Sequence, residues 1–123
     1  MQILKTRWFA RFARQERITD ISLREAIERA ERGLIDADLG GGLIKQRVAR
    51  QGQGRSGGYR TIIAYCVKDR AVFLYGFAKS EKENLDPNQF ATARKLAGKW
   101  LDADAGQIKL AIEEDELREV EGD

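Results

Sequence analysis

The side chains of this sequence that could do chemistry are mostly cations, and one stretch holds many of them. Residues 39–68 contain no Asp or Glu, although 20 of the 123 residues are acidic. The same stretch contains six basic residues: Lys45, Arg47, Arg50, Arg55, Arg60 and Lys68. A cationic surface of this kind favours a polyanionic partner such as nucleic acid. A solvated basic sheet face without a partner remains the alternative.

Arg60 has the most specific setting of these cations. It lies near the start of a predicted strand, residues 59–67, where alternation puts it on one face with Ile62 and Ala64. No acid lies within eight residues on either side. An arginine beside apolar side chains is either paired with an acid or directed at an anion. Arg60 is therefore a candidate for binding phosphate.

The predicted strand before it, residues 43–50, adds further cations. Alternation puts Lys45 and Arg47 on one face of that strand and Arg50 on the other. Lys79 follows the end of the strand after that of Arg60. These residues are the other candidates for contacting an anion.

Residues 52–57 match the dinucleotide-binding pattern G-x-G-x-x-G. That pattern binds phosphate between a strand and a helix, and here a strand follows, so we reject it. What remains is either a glycine-rich hairpin loop that brings Arg55 to a ligand or a plain long hairpin turn. Tyr65 and Tyr75 could stack on bases, although a strand tyrosine is more often a half-buried sheet aromatic.

The residue inventory excludes several classes of protein. With no His and one Cys, the chain offers neither a zinc site nor a His-dependent catalytic triad, and we expect no metal or other cofactor. One thiol cannot form an internal disulfide, which fits a reducing compartment. The longest apolar runs are too short to span a bilayer, and the N-terminus lacks the layout of a signal peptide. We expect a cytoplasmic protein with no membrane contact.

Two helices are predicted before the cationic stretch. Residues 1–5 indicate a short first strand, and apolar residues then recur at helical spacing over residues 8–13. Ser22 and Glu25 form a capping box that begins a second helix, and Gly33 can end it.

The period then changes to that of strands and later returns to that of helices. Residues 43–50, 59–67 and 72–77 predict three strands, the last two joined as a hairpin. Two Asp-x-x-Gln capping boxes, at Asp86 and Asp104, then begin two C-terminal helices. This order predicts an α+β fold in which helices pack on an antiparallel sheet.

At 123 residues the chain is expected to form a single domain over residues 1–123. Residues 1–60 carry 13 basic and 7 acidic side chains, whereas residues 61–123 carry 9 basic and 13 acidic ones. Most of the acids of the second half lie in residues 104–123, which predict an acidic, helical C-terminal extension. Such a tail is most simply a solvated helix face, but it could also fold back over the basic strands.

Three segments together resemble the RelE/ParE superfamily of toxins from toxin–antitoxin operons, and most nearly its RelE/HigB-like branch. They are residues 42–47 (GLIKQR), 54–61 (GRSGGYRT) and 73–81 (FLYGFAKSE). The resemblance covers about residues 2–100 and depends on the combination of the three. It implies a RelE-like fold, in which a small curved antiparallel sheet packs against two N-terminal helices, with the C-terminal helices as an addition.

The usual activity of the superfamily's RelE branch is cleavage of mRNA in the ribosomal A site, so the resemblance implies an endoribonuclease. Arg60 matches the arginine that stabilises the transition state, and Lys45, Arg47 and Lys79 match further catalytic cations. The predicted RNA-binding residues are Arg50, Arg55, Tyr65 and Tyr75. The chain lacks the Tyr or His that members often carry after Tyr75, so the resemblance leaves the general base unassigned.

Cleavage of RNA by its own 2′-hydroxyl fits this inventory of residues. Arginine can stabilise the charge on the pentacoordinate phosphate as a planar fork. Without His or metal, proton transfer must come from Lys, Tyr, Glu or ribosomal RNA. Such a site depends on the ribosome to position its substrate.

The resemblance also implies partners and leaves two alternative functions open. The partners are the ribosome, mRNA and a cognate antitoxin, expected to be a small helix-turn-helix protein from the adjacent gene. One alternative is a ParE-like toxin that inhibits DNA gyrase without cleaving RNA. The other is a non-catalytic RNA-binding module, in which affinity falls in proportion to the charge removed.

Overall fold

Four helices and six strands make up the part of the chain that the structure describes. The computed structural model covers residues 1–50, 54–79 and 84–121, except for the side chains of residues 50 and 54–57. The elements are β1 (Gln2–Thr6), α1 (Arg7–Glu16), α2 (Asp20–Glu31), β2 (Ala37–Gly40), β3 (Leu43–Arg50), β4 (Gly54–Cys66), β5 (Arg70–Ala78), α3 (Pro87–Asp102), α4 (Ala105–Glu113) and β6 (Leu117–Glu119). Within these ranges, no helix is both long and apolar enough to cross a membrane.

The strands form one sheet in the order β2-β3-β4-β5-β1-β6. Each neighbouring pair is antiparallel except β1 and β5, which are parallel. The α+β prediction is confirmed, but the sheet is mixed rather than wholly antiparallel. The reason is that β1 enters the sheet beside β5, and α1 and α2 then carry the chain across one face to the opposite edge.

Helices cover both faces of the sheet. On one face, α1 and α2 bury Phe9, Leu23 and Ile27 against Ile63 and Phe73 of the sheet. On the other face, α3 and α4 pack a second core that includes Leu43, Ile62, Leu74, Ala97 and Ile108. Burial on both faces explains why the central strands are rich in consecutive apolar residues.

The packing of α1 against β5 depends on a glycine. A Cβ atom at Gly76 would overlap the aromatic ring of Phe12, so the strand can approach the helix this closely only with glycine at that position. The ring of Phe12 also stacks on Trp8 of the same helix, with centroids 5.8 Å apart. The close approach thus fixes where the first helix lies beside the fifth strand.

The predicted start of the second helix is wrong by less than one turn. The N-cap is Thr19, whose hydroxyl accepts a hydrogen bond from the Ser22 N–H at 3.2 Å, so α2 begins at Asp20. Glu25 does not complete a capping box and instead accepts a bond from Arg29 Nε at 2.7 Å. Thr19 wins because it too is a good N-cap residue and lies three positions before Ser22. The predicted boxes at Asp86 and Asp104 are both confirmed.

The C-terminal residues are part of the sheet and are not helical throughout. After α4, Asp115 takes a positive φ of 61°, and the chain turns back into β6, which pairs with β1. Arg24 of α2 donates to the carbonyl oxygens of Val120 at 2.9 Å and Glu121 at 3.3 Å. This acidic segment therefore closes the sheet edge next to β1, three strands from β4, and does not fold over the basic strands.

Candidate anion-binding site

The register of the central strands brings three of the predicted cations together. Arg47 of β3 lies directly opposite Arg60 of β4, and Lys45 lies opposite Ile62. Because alternate residues of a strand share a face, all three cations lie on the face that α3 and α4 cover. Side chains directly opposite each other begin about 4.5–5.5 Å apart, at which distance like charges destabilise the pair. We call Lys45, Arg47 and Arg60 the cation cluster.

Arg60 differs from Arg47 in having no ion pair in the described part of the chain, although each of these two arginines has one buried nitrogen without a hydrogen-bond partner. Its side chain is partly buried, and Phe77 of β5 lies opposite it on the side away from Arg47. Its Nη1 is buried without a hydrogen-bond partner, and no acid forms an ion pair with it among the described residues. A buried charged donor left without a partner costs more than the roughly 1–3 kcal/mol of a neutral one. An anion would supply the missing acceptor.

Arg47, in contrast, is held by an acid. Asp36 accepts a hydrogen bond from the Arg47 backbone N–H at 2.7 Å and another from its Nη2 at 2.9 Å. Arg29 is only 3% exposed and contacts both Asp36 and Arg47. Its Nη1 is 3.5 Å from Asp36 Oδ2, and its Nη2 donates to the carbonyl oxygen of Arg47. This network fixes the guanidinium of Arg47 on Asp36, on the side of β3 that faces β2.

The same network controls the ionisation of Asp36. Burial alone would raise the pKa of this carboxyl, but two hydrogen bonds from Arg47 and the charges of Arg47 and Arg29 outweigh it. The pKa of Asp36 therefore lies below its ordinary value of 3.8. The carboxylate stays ionised wherever the protein is folded near neutral pH.

Asp36→Asn should lower the free energy of unfolding at pH 7 by about 1 kcal/mol, because it removes a charge-assisted hydrogen bond. A carboxyl whose pKa is lowered by folding stabilises the protein above its unfolded pKa, and this contribution disappears as the pH falls through the folded value. The difference between wild type and variant should therefore shrink below about pH 4. Urea unfolding from pH 7 to pH 3.5 measures it, with the exposed Glu28→Gln on α2 as the control. A difference that stays constant over this range would contradict the role of the charge.

The two predicted lysines lie at the same end of the sheet as Arg60. Lys45 Nζ donates to Asn84 Oδ1 at 2.7 Å, which ties the cation cluster to a residue three positions before α3. Lys79 is exposed and follows β5, two residues after Phe77; its N–H donates to the Gly58 carbonyl at 3.3 Å. Lys79 thus follows the strand that pairs with Arg60, but it does not lie directly opposite Arg60 or Arg47.

The structure separates the two predicted tyrosines. Tyr75 lies opposite Ile62, on the face of the cation cluster. Tyr65 is 8% exposed and packs in the core on the opposite face, where its hydroxyl donates to the carboxylate of Glu31. Burial, together with that hydrogen bond and charge, raises the pKa of Tyr65. The geometry therefore does not bring Tyr65 to the site.

Arg50 and Arg55 lie at the ends of strands, but their side chains fall outside the described part of the chain. The backbone of Arg50 pairs with Gly54 at the end of β3, and Arg55 follows in β4. Their predicted contacts with RNA stay predictions. In the ranges that the structure describes, no cluster of three or more His, Cys, Asp or Glu residues could hold a metal ion.

Sequence reasoning missed the two residues that hold the cations. Asp36 lies before the acid-free stretch and reaches Arg47 only because β2 folds back on β3. Asn84 lies 39 residues from Lys45. A local pattern gives no signal for either contact, because both depend on the register of the sheet and the position of α3.

The site thus lies on a mixed sheet between two pairs of helices, where Arg60 forms no ion pair with any described residue although other basic side chains are near it. A family model described as the RelE toxin of the RelE/RelB toxin–antitoxin system matches residues 1–120. The chain therefore belongs to the RelE toxin family. The match includes α4 and β6, which the sequence predicted to be an addition to the fold. A comparison with curated proteins finds no match.

Proposed function

We propose that this RelE family toxin is a ribosome-dependent, metal-independent endoribonuclease that cleaves mRNA and so inhibits translation. The observation that carries the proposal is the buried Nη1 of Arg60, which has no hydrogen-bond partner in the described residues. In the pairing of β4 with β3, Arg60 also lies directly opposite Arg47. A phosphate bound at this pair of residues would supply the missing acceptor to Arg60. Two opposed arginines suit a phosphate that gains negative charge in the transition state.

The proposed reaction uses the 2′-hydroxyl of the RNA as nucleophile. The 2′-oxygen attacks the neighbouring phosphorus and loses its proton, while the bond from phosphorus to the 5′-oxygen breaks and that oxygen gains a proton. Arg60 stabilises the charge on the non-bridging oxygens, and Arg47, held by Asp36, contributes a second fork. Lys45, whose Nζ donates to Asn84, adds a positive charge two residues before Arg47 on β3.

Dependence on the ribosome follows from what the cation cluster supplies. Its members are one lysine and two arginines, side chains that stabilise negative charge by donating hydrogen bonds. In the described residues, no carboxylate makes an ion pair with Arg60. Alignment of the 2′-oxygen and removal of its proton would then fall to the ribosome or to residues beyond the cluster. Positioning of this kind is worth several orders of magnitude in rate.

The proposal is tested with the purified chain, a defined mRNA and ribosomes carrying that mRNA with an empty A site. We expect cleavage within the A-site codon when ribosomes are present and little or none on the free mRNA, mapped by primer extension. A chain that arrests growth, leaves ribosome-bound mRNA intact and blocks supercoiling by DNA gyrase would establish the ParE-like alternative.

RelE family toxins pair with a cognate antitoxin. We propose that this partner is a small helix-turn-helix protein from the adjacent gene and that an acidic segment of it covers the cation cluster. Charge complementarity would attract the segment and block substrate at the same time. Salt-dependent antitoxin binding that is weakened by Arg47→Glu supports this placement, whereas unchanged binding would move the antitoxin to another surface.

A further inference from the structure

A groove between α1, β5 and α3 is not used by the proposed chemistry. Its volume is about 400 Å³, and it is lined by three aromatic side chains (Trp8, Tyr75 and Trp100) and three cationic ones (Arg7, Arg11 and Lys99). Both tryptophans of the chain therefore lie in this one groove. Large aromatic rings beside cations are the combination that proteins use to hold single-stranded nucleic acid.

Trp8 provides an accessible stacking surface. It is 50% exposed, which is unusual for the largest apolar side chain. Its orientation is fixed from two sides, because it stacks on Phe12 and meets Tyr75 edge-on at 5.4 Å between ring centroids. A ring held in this way presents a preformed surface to a base, so little side-chain entropy is lost on binding.

Trp100 provides an unused hydrogen-bond donor. It is 5% exposed, and its Nε1 is buried without a partner among the described residues. A buried indole N–H normally finds an acceptor. The ammonium of Lys99 lies 4.5 Å from the centroid of the Trp100 ring, which leaves the edge of the ring for an acceptor from a ligand.

The charge of the groove favours an anion. Arg7 and Arg11 are exposed, lie one turn apart on α1, and make no ion pair within the described ranges. Among the described residues, the acid that lines the groove is Glu116, whose carboxylate is 3.5 Å from Lys99 Nζ. Three cations against one acid leave an excess of positive charge.

Tyr75, which lines the groove, lies on the same face of the sheet as Arg60. Tyr75 is the residue two positions from Phe77 on β5, and Phe77 lies directly opposite Arg60. Tyr75 and Arg60 are therefore diagonal neighbours on one face, about 7–8 Å apart. Burial raises the pKa of Tyr75, so its phenol is neutral and can donate a hydrogen bond near neutral pH. A strand of RNA with a phosphate on Arg60 could reach the groove with a neighbouring nucleotide.

We propose that this groove binds one nucleotide of single-stranded RNA, with the base against Trp8 and Tyr75 and a phosphate on Arg7 and Arg11. The substrate class rests on the proposed function, but the residues are a separate set from the cation cluster. An acidic peptide would satisfy the arginines and has carbonyl oxygens that can accept from the Trp100 N–H, but its Asp and Glu side chains would leave the stacking surface unused. RNA accounts for all three features, because a base has both a flat face and acceptors on its edge.

Because both tryptophans line the groove, tryptophan fluorescence can report binding there. Titration of the purified chain with a hexa-adenylate RNA, without ribosomes, should quench tryptophan fluorescence. Trp8→Ala should weaken the affinity, measured by anisotropy of the labelled RNA, by about tenfold, whereas Trp8→Phe should keep most of it. Arg11→Ala should weaken binding and lower its salt dependence, while Arg14→Ala, an exposed arginine on the same helix outside the groove, should change both less.

Three results would overturn the proposal: binding without quenching, equal affinity in Trp8→Ala and wild type, or quenching by polyglutamate but not by the RNA. The last result would make the groove a site for an acidic protein segment. Thermal unfolding of each variant by circular dichroism confirms that the comparison is between folded chains. The binding assay does not depend on cleavage, so together with the ribosome assay it separates the two proposals. RNA binding in the groove without ribosomal cleavage would reject the proposed function alone. Cleavage that is insensitive to Trp8→Ala and Trp8→Phe, without groove binding, would reject the groove alone.

Discussion

Replacing Arg60 by Ala should lower ribosome-dependent mRNA cleavage by about 10²- to 10³-fold, the usual cost of removing a donor that stabilises transition-state charge. Induced expression of the wild-type chain should arrest growth, and the same change should relieve that arrest. The guanidinium has a buried nitrogen without a partner in the described part of the chain, so the fold does not depend on a bond from it. Removing it should also relieve repulsion from Arg47, which lies directly opposite. Single-turnover cleavage and a growth curve measure the two effects.

Two variants separate the role of Arg60 from that of charge in general. Arg60→Lys keeps the charge but loses the planar fork, so it should recover little of the rate. Arg14→Ala removes an exposed arginine of α1 and should leave both cleavage and toxicity close to wild type. Equal toxicity of Arg60→Ala and wild type at equal expression would show that the arginine is not part of the reaction.

Leu117→Ala should lower the free energy of unfolding by about 2–5 kcal/mol, the range for truncating a fully buried leucine. Leu117 has no exposed surface and lies in the core under α3 and α4, opposite Thr6 in the pairing of β6 with β1. Urea unfolding followed by circular dichroism measures the loss.

Glu119→Ala is the matched control for this prediction, because Glu119 is exposed on the same short strand. It should change the stability by less than about 0.5 kcal/mol. Equal losses in both variants would mean that the pairing of β6, and not the buried side chain, carries the stability.

Truncation after Ala111 removes β6 altogether, so it should abolish toxicity because the chain unfolds. A tail that shields the basic strands would instead predict that truncation increases toxicity.

The cation cluster could be predicted from the sequence because it depends on strand alternation. The predicted strand over residues 43–50 has the bounds of β3, so Lys45 and Arg47 fall on the predicted face. The pairing of Arg47 with Arg60 was not predictable, since register depends on the turn between the strands and on packing of both faces. Strand alternation also separates Tyr65 from Arg60, because residues 60 and 65 fall on opposite faces of the strand. The structure accordingly places Tyr65 in the core on the other face, with its hydroxyl donating to Glu31.

The sheet order was also beyond reach of local patterns. The periodicity of residues 1–5 predicts a strand, and β1 is there, but nothing in those residues selects a parallel neighbour in β5. The last strand was missed because Leu117–Glu119 is only three residues long and lies in a run of acids. A short edge strand has too few residues to show alternation, and whether it forms depends on the strand that it pairs with.

The direct opposition of Arg47 and Arg60 links anion binding to the stability of the fold. An anion bound at these two like charges removes a repulsion that the empty protein carries. Because folding is what places the two arginines opposite each other, the anion binds the folded chain and not the unfolded one. Substrate and antitoxin would then each raise the melting temperature of the toxin in proportion to the logarithm of their concentration. In a cell the neutralised toxin would be the more durable form, and the free, active toxin the one more readily unfolded and degraded.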